Sequence, residues 1–275
     1  MSKSGAGAGA FLVLSFLLAA VPVALAQSPI QLQYTRVVDL TLPIESNMSG
    51  IPSAKLHAAN PSRLSVVAAM TEAQKELLQS EGMTLSSSME INGRSMISVL
   101  SILSHTGTHI DAPRHMLERG SPVDQIPLTQ IAREGVLINL PNKGSNSSIS
   151  VSDILDTGVS LGPDRIPVIH TGWTDKMWGK PDFWSQTPYL EPGVGEMMAQ
   201  KGVPALAIDV FPERPSWRGG KGEVNHQALF RSGIPLIQLV TNLSQIGPNR
   251  FVLVALPLRI RGADASPARV IALVE

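Results

Sequence analysis

The chain has no cysteine. That absence excludes thiolate metal sites, disulfide scaffolds and cysteine nucleophiles. Aromatic side chains are scarce, at 4% of 275 residues, and neither charge is in excess, since 22 Lys and Arg balance 22 Asp and Glu. A neutral chain without a basic run offers little to a phosphate backbone, so nucleic acid is not an expected partner. Heptads and internal repeats are also missing, which sets aside coiled coils and solenoids.

Long apolar runs are absent except at the start. There Lys3 precedes a stretch from Ala10 to Ala26, broken by Ser15 and Pro22 and ending in Ala24-Leu25-Ala26 before Gln27. This reads as a signal peptide cleaved after Ala26. The alternative is an uncleaved anchor, for which the run is short against the roughly 20 residues a span requires. Residues 27–275 are then one exported domain, periplasmic or secreted, with no membrane association after cleavage.

Three of the six histidines fall in one stretch, His105-Thr106-Gly107-Thr108-His109-Ile110-Asp111-Ala112-Pro113-Arg114-His115. A straight strand would hold His105 and Asp111 roughly 20 Å apart, too far to share an ion. A helix would align His105 with His109 but turn Asp111 about 120° away. The spacing therefore predicts a bent loop whose ligands converge. Gly107 permits the bend, and Pro113 stops a regular element from continuing. The competing reading is a polar loop whose histidines are satisfied by backbone hydrogen bonds; it suits any single histidine better than the whole cluster. Imidazole with carboxylate suits Zn(II), Mn(II) or Fe(II).

The pattern H-x-G-T-H-x-D-x-P-x-H, matched at His105, Gly107, Thr108, His109, Asp111, Pro113 and His115, resembles the signature of the cyclase superfamily of metal-dependent hydrolases. That superfamily includes bacterial kynurenine formamidase and isatin hydrolase, and the likeness runs from Val38-Val-Asp-Leu-Thr to Ser266-Pro-Ala-Arg-Val. The resemblance implies that His105, His109 and Asp111 bind metal and that His115 is the catalytic base or acid. Where formamidases carry a glutamate that bridges two zinc ions, this chain has Gln238, downstream of a retained His226. A neutral amide cannot offset a second dication, so the expectation is a single divalent ion, Mn(II) or Zn(II), with the Gln238 oxygen as a further ligand. His226 is then free to hydrogen-bond substrate or the attacking water. For Gln238 the alternative is a buried amide bonded to backbone.

Apolar, β-branched runs predict strands at Arg36–Leu42, Met96–Leu103, Gly135–Leu140, Ile166–His170, Ala205–Val210, Pro235–Val240, Phe251–Leu256 and Arg269–Val274. Helices are expected from Thr71, capped with Gln74, to near Gly82, at Pro127–Arg133 and Pro192–Lys201, and at Asn225–Ser232 before Gly233 and Pro235. The class is α/β with a mixed sheet. The resemblance implies a small barrel-like or sandwiched core flanked by helices. In this reading the histidine loop springs from the strand ending at Leu103, Gln238 shares a strand face with Leu236 and Val240, and His226 sits in the first turn of a helix.

Trp173, Trp178, Phe183 and Trp184 can form a planar apolar wall for an aromatic substrate, with Trp173 as a contact; core or subunit packing is the equal alternative. His170, before Thr171-Gly172-Trp173, is assigned to the pocket wall, and His57 to a surface loop. The segment from Pro52 to Asn92, with Met70, Met83 and Met89, is expected to cover the pocket or reach a neighbouring subunit. The resemblance also implies a homo-oligomer. The expected activity is hydrolysis of an activated cyclic amide such as isatin. Two alternatives stay open, an arylformamidase acting on N-formylkynurenine and a secreted binding protein that has lost turnover.

Overall fold

The computed structural model describes residues 33–45, 47–48, 63–67, 97–214, 220, 222–248 and 250–275. The leader, His57, the methionines of the 52–92 segment and the helix expected from Thr71 to Gly82 lie outside the described residues. In chain order the strands are β1 (Arg36–Asp39), β2 (Arg63–Val67), β3 (Ile97–Ser101), β4 (His109–Asp111), β5 (Ala132–Asn139), β6 (Ser148–Ile149), β7 (Ile166–His170), β8 (Tyr189–Leu190), β9 (Leu206–Ile208), β10 (Leu236–Gln238), β11 (Phe251–Pro257) and β12 (Ala265–Val274). The helices are α1 (Leu128–Ile131), α2 (Val151–Leu155), α3 (Trp173–Met177), α4 (Val194–Gln200) and α5 (Val224–Arg231).

The main sheet runs β1-β12-β11-β5-β7-β9-β10-β4, and β4 pairs back onto β12. That last pairing closes a mixed barrel. The strands β5, β7, β9 and β10 are parallel, while β4, β11 and β12 are antiparallel to their neighbours. Alternation then sorts side chains into two cores. Ile110, Val168, Ala207, Ile237, Leu253 and Val270 belong to one cluster, enclosed by the strands. Ile138, Ile169, Leu206, Ile208 and Leu236 join Val194, Met198, Leu229 and Phe230 of α4 and α5 in the other. Parallel strands buried on both faces read as continuous apolar runs, which is why β7 and β9 are legible in the sequence.

Several expectations are corrected. The strand predicted before His105 is β3, but among the described residues it pairs only with β2, in a separate two-stranded sheet, and its Leu100 is exposed. The helix predicted to Arg133 ends at Ile131, because β5 begins at Ala132 to pair with β11. The last strand begins at Ala265 rather than Arg269. Pro267 conceals that start, since proline normally argues against a central strand. Here the neighbouring Ala268 N–H points to Thr108 O, and the β11 ladder has already stopped at Ala268, so the missing N–H of Pro267 leaves no partner unmet. Helices α2 and α3 were not anticipated; α2 carries a capping box from Ser150 and Asp153.

Helices α4 and α5 meet at Gly195. Its N–H donates to Asn225 Oδ1 at 2.9 Å, and a Cβ there would lie 2.8 Å from Asn225 O and 2.9 Å from Asn225 Cα. Backbone is the obstacle, so one helix must move. Gly195→Ala is expected to destabilise the fold by about 1–3 kcal/mol in chemical denaturation. An unchanged midpoint contradicts the close approach.

Candidate metal centre

Directly opposed residues of an antiparallel pair put their side chains on the same face. The β4–β10 register sets Gln238 against His109 and Leu236 against Asp111, so His109, Asp111 and Gln238 share the outer, helix-covered face while Ile110 and Ile237 turn inward. Half of the histidine motif is thus strand and half is bend. The chain turns through Ser104–Thr108, where Gly107 adopts φ +61°, and then enters β4; the continuous loop predicted from spacing is corrected to a bend plus a three-residue strand. Pro113 ends β4 and opens a single 3-10 turn, Pro113–His115, that brings His115 back toward the strand.

Thr108 holds this corner. Its hydroxyl donates to Leu239 O at 2.7 Å and accepts from Leu42 N at 2.8 Å. Leu239 itself lies at φ 56°, in the left-handed region that costs a non-glycine residue about 1–2 kcal/mol. The reversal breaks the alternation of β10. Val240 consequently joins the enclosed core instead of sharing Gln238's face, which corrects the sequence reading.

Asp111 is the centre of the cluster and has no solvent exposure. His105 Nδ1 stands 2.8 Å and His109 Nε2 3.3 Å from its Oδ1; His226 Nε2 stands 3.6 Å from its Oδ2, and the Gln238 amide nitrogen donates to the same oxygen. Gln238 also lies 3.3 Å from His226 Nε2. Burial alone would push Asp111 up, but the His109 and His105 rings hold it well below the ordinary carboxylate range. Against burial, the same pairing with Asp111 and a contact to Asp264 carry His105 up to about 10. His226, fully buried, is raised to about 9 by Asp111 and Glu213 in spite of desolvation. Burial and the neighbouring His105 and His226 hold His115 below its ordinary value, against the opposing pull of Asp111 and Asp264.

The residues fit a divalent cation. His109 Nδ1 lies 2.7 Å from Gly107 O, and a carbonyl only accepts, so Nδ1 carries the proton and Nε2 is a bare lone pair. That lone pair faces Asp111 Oδ1, which accepts no hydrogen bond although it is buried. Two electron-rich atoms in this position call for a positive centre beside them, which a protonated His105 ring supplies in the absence of an ion and a divalent cation could supply in its place. His105, His109 and Asp111 each offer a ligand atom, all within 4.8 Å of one another. Two overlapping trios, Asp111 with His115 and His226, and His105 with His115 and Asp264, meet the same limit.

A cavity of about 210 Å³ opens on the cluster, lined by His105, His109, Asp111, His115, His226 and Gln238 together with Trp184, Phe211, Glu223 and Leu239. A larger one, about 600 Å³, lies between Leu42, Leu100, Leu258 and Arg269 and holds no histidine. The histidine–aspartate cluster lines the smaller of the two. Trp173, expected in the pocket wall, is instead packed in the helix-side core with its indole N–H donating to Phe183 O at 3.1 Å. His170 does not line the cavity either; it ends β7 beside a turn in which Thr171 and Gly172 donate to the buried Asp209. Trp184 is the member of the aromatic group that reaches the cavity.

Two partners escaped the sequence reading. Glu213 accepts from Asn225 N at 2.8 Å and His226 N at 2.9 Å, capping α5, and lies 3.1 Å from His226 Nδ1. Asp264 lies 2.8 Å from His105 Nε2 and 3.4 Å from His115 Nδ1. Neither has a local motif. The faint signal was a carboxylate among apolar residues just before β12.

The family model described as "Putative cyclase" matches residues 38–212. The chain belongs to the cyclase family. The match includes the whole histidine motif and stops short of His226, Gln238 and Asp264. Among curated relatives, the kynurenine formamidase of Geobacillus thermodenitrificans is 29% identical over 65% of this chain and 80% of its own length. Cyclase-like protein 2 of Oryza sativa subsp. japonica is 29% identical over 68% of each chain. Isatin hydrolase A from Labrenzia aggregata shares the fold, with a TM-score of 0.65 over 86% of this chain and 93% of its own at 19% identity.

If the cluster binds a divalent cation, the cation must stabilise the folded state. Titration of metal-stripped protein should raise stability by about 2.7 kcal/mol at a hundredfold excess over Kd. Asp111→Ala should abolish the shift; an equal shift in that variant excludes this cluster as the site.

Proposed function

We propose that the chain is a metal-dependent amide hydrolase that opens a small activated cyclic amide of the isatin type. The observation that carries the reading is the convergence of His105, His109 and Asp111 on one point, beside His115 and a cavity of about 210 Å³. That volume is below the roughly 300–1,000 Å³ of sites for drug-sized ligands, which favours a compact ring over an extended side chain. Phe211 and Trp184 supply apolar wall for it. A second reading, hydrolysis of an arylformamide such as N-formylkynurenine, is favoured by the curated formamidase relatives.

His105, His109 and Asp111 would hold the ion. Gln238 completes the set if its terminal amide turns so that oxygen replaces nitrogen, a rotation that a cation beside Asp111 would favour. Its neutrality supports one ion rather than two; a second would fall at Asp111, His115 and His226. Held by His105, His109 and Asp111, a divalent ion would supply a water of lowered pKa and would polarise the amide carbonyl. His115 would take a proton from the attacking water and return it to the leaving nitrogen. Its depressed pKa suits the task, because the ring is then neutral and able to accept at neutral pH. His226, with Nδ1 turned to Glu213, presents Nε2 to the same space. Export to the periplasm or beyond belongs to the proposal and rests on the leader sequence alone.

Turnover of isatin and of N-formylkynurenine by ion-loaded protein tests the reading, and failure with both and with related lactams and formamides removes it. His115→Ala should retain the ion while kcat falls about 10²–10⁴-fold. Since the neutral ring is the active form, kcat/KM should rise with pH along an acid limb centred below 6.5, the ordinary value from which burial lowers His115. A limb centred above that value, or one that persists in His115→Ala, contradicts the assignment. Gln238→Glu should raise the bound-ion count above one, as read by elemental analysis; an unchanged count argues against Gln238 facing the ion.

A further inference from the structure

We infer that Asp264 is a shared positioning residue, whose single oxygen Oδ2 holds the outer ring nitrogens of both His105 and His115 and thereby sets which nitrogen each one presents inward. The inference rests on the proposed reading, in which His105 holds an ion and His115 moves a proton.

Geometry carries it. Asp264 Oδ2 lies 2.8 Å from His105 Nε2 and 3.4 Å from His115 Nδ1, while Oδ1 accepts from Ser104 Oγ at 3.1 Å. The two imidazole rings are 4.3 Å apart at their centres, so one oxygen serves both. An ionised carboxylate only accepts hydrogen bonds; each ring nitrogen facing it therefore carries the proton. With an ion bound, the ligating His105 ring is neutral like His115, and a neutral imidazole has one N–H, which leaves His105 Nδ1 and His115 Nε2 as bare lone pairs. His105 Nδ1 is the atom 2.8 Å from Asp111 Oδ1, where a ligand must be unprotonated. His115 Nε2 is left to receive the proton of the attacking water.

The barrel puts Asp264 in this place. It is the residue before β12, whose Ala265 pairs with Asp111, and its carbonyl accepts from Ala112 N at 2.9 Å. The ladder that closes the barrel thus fixes the Asp264 backbone beside β4. The side chain is 42% exposed, so its removal leaves no hole in the core. Asp264 therefore acts through the two histidines. Hydrogen-bond partners of metal-bound histidines commonly set ring orientation and tautomer in this way.

The test uses ring-nitrogen NMR of protein labelled with nitrogen-15 histidine, at a pH where His115 is neutral, together with calorimetric titration by Zn(II) and Mn(II). The native chain should show His115 as the Nδ1–H tautomer. Asp264→Ala should shift that ring toward the Nε2–H form preferred by unconstrained histidine and weaken ion binding by about 10–100-fold. Asp264→Asn should recover most of both, because an oxygen acceptor remains and the Ser104 hydroxyl can turn to accept from the amide. Both variants should melt as the native chain does. Three results overturn the inference: His115 in the Nε2–H form in the native chain, a loss of ion affinity with no tautomer change, or a tautomer change with no loss of affinity. Neither readout uses substrate, so a failure of the amide assays and a failure of this inference are distinguishable.

Discussion

The fold turns on one carboxylate placed where no carboxylate can rest alone. Asp111 is fully buried, on the outer face of a strand flanked on both sides, with imidazole nitrogens directed at it. Burying such a charge costs several kcal/mol unless a counter-charge compensates. Without a cation the compensation comes from protonated rings: Asp111 and Asp264 carry His105 up to about 10, and Asp111 and Glu213 carry His226 up to about 9, while His109 turns its Nδ1–H to Gly107 O. A divalent cation held at this point would take the place of those protons as the counter-charge. Two of the three candidate ligands, His109 and Asp111, lie on rigid backbone: β4 is hydrogen-bonded to β10 and to β12, so their facing atoms cannot drift apart.

From this constraint the supporting parts follow. Barrel closure brings β12 to β4 and with it Asp264; the β10 register brings Gln238; the packing of α4 on α5 brings His226 over the strand. Strain collects at the corner. Leu239 is held left-handed by the hydroxyl of Thr108, in the way that backbone outliers cluster where function over-determines geometry. Glu213 caps α5 and fixes His226 with one carboxylate, a coupling of helix start to site geometry.

The mixed α/β class, most of the strands and the histidine–aspartate cluster were legible because their signals are local; the barrel-like core was implied by the family resemblance, with a sandwich as its alternative. A histidine motif with a glycine and a proline at the turning points is readable in eleven positions, and a doubly buried strand is readable as an apolar run. Partners set by register were not. Nothing near Asp264 or Glu213 states that a sheet ladder or a helix end will deliver them to a histidine more than ten residues away. Trp173 misled for the complementary reason: an indole suits a substrate wall and a core equally, and only packing decides. The reversal at Leu239 hid in an apolar run, where a left-handed residue leaves no trace in composition. Pro267 did the opposite, since it argued against a strand that tolerates it by having no ladder bond to lose.

The central claim is that His105, His109 and Asp111 enclose a single cation. A crystal structure of the protein loaded with Mn(II) or Zn(II), with anomalous scattering recorded at the metal's absorption edge, tests it most directly. The account requires one strong anomalous peak within bonding distance of His105 Nδ1, His109 Nε2 and Asp111 Oδ1. A peak elsewhere, or none at this cluster in ion-saturated protein, contradicts it.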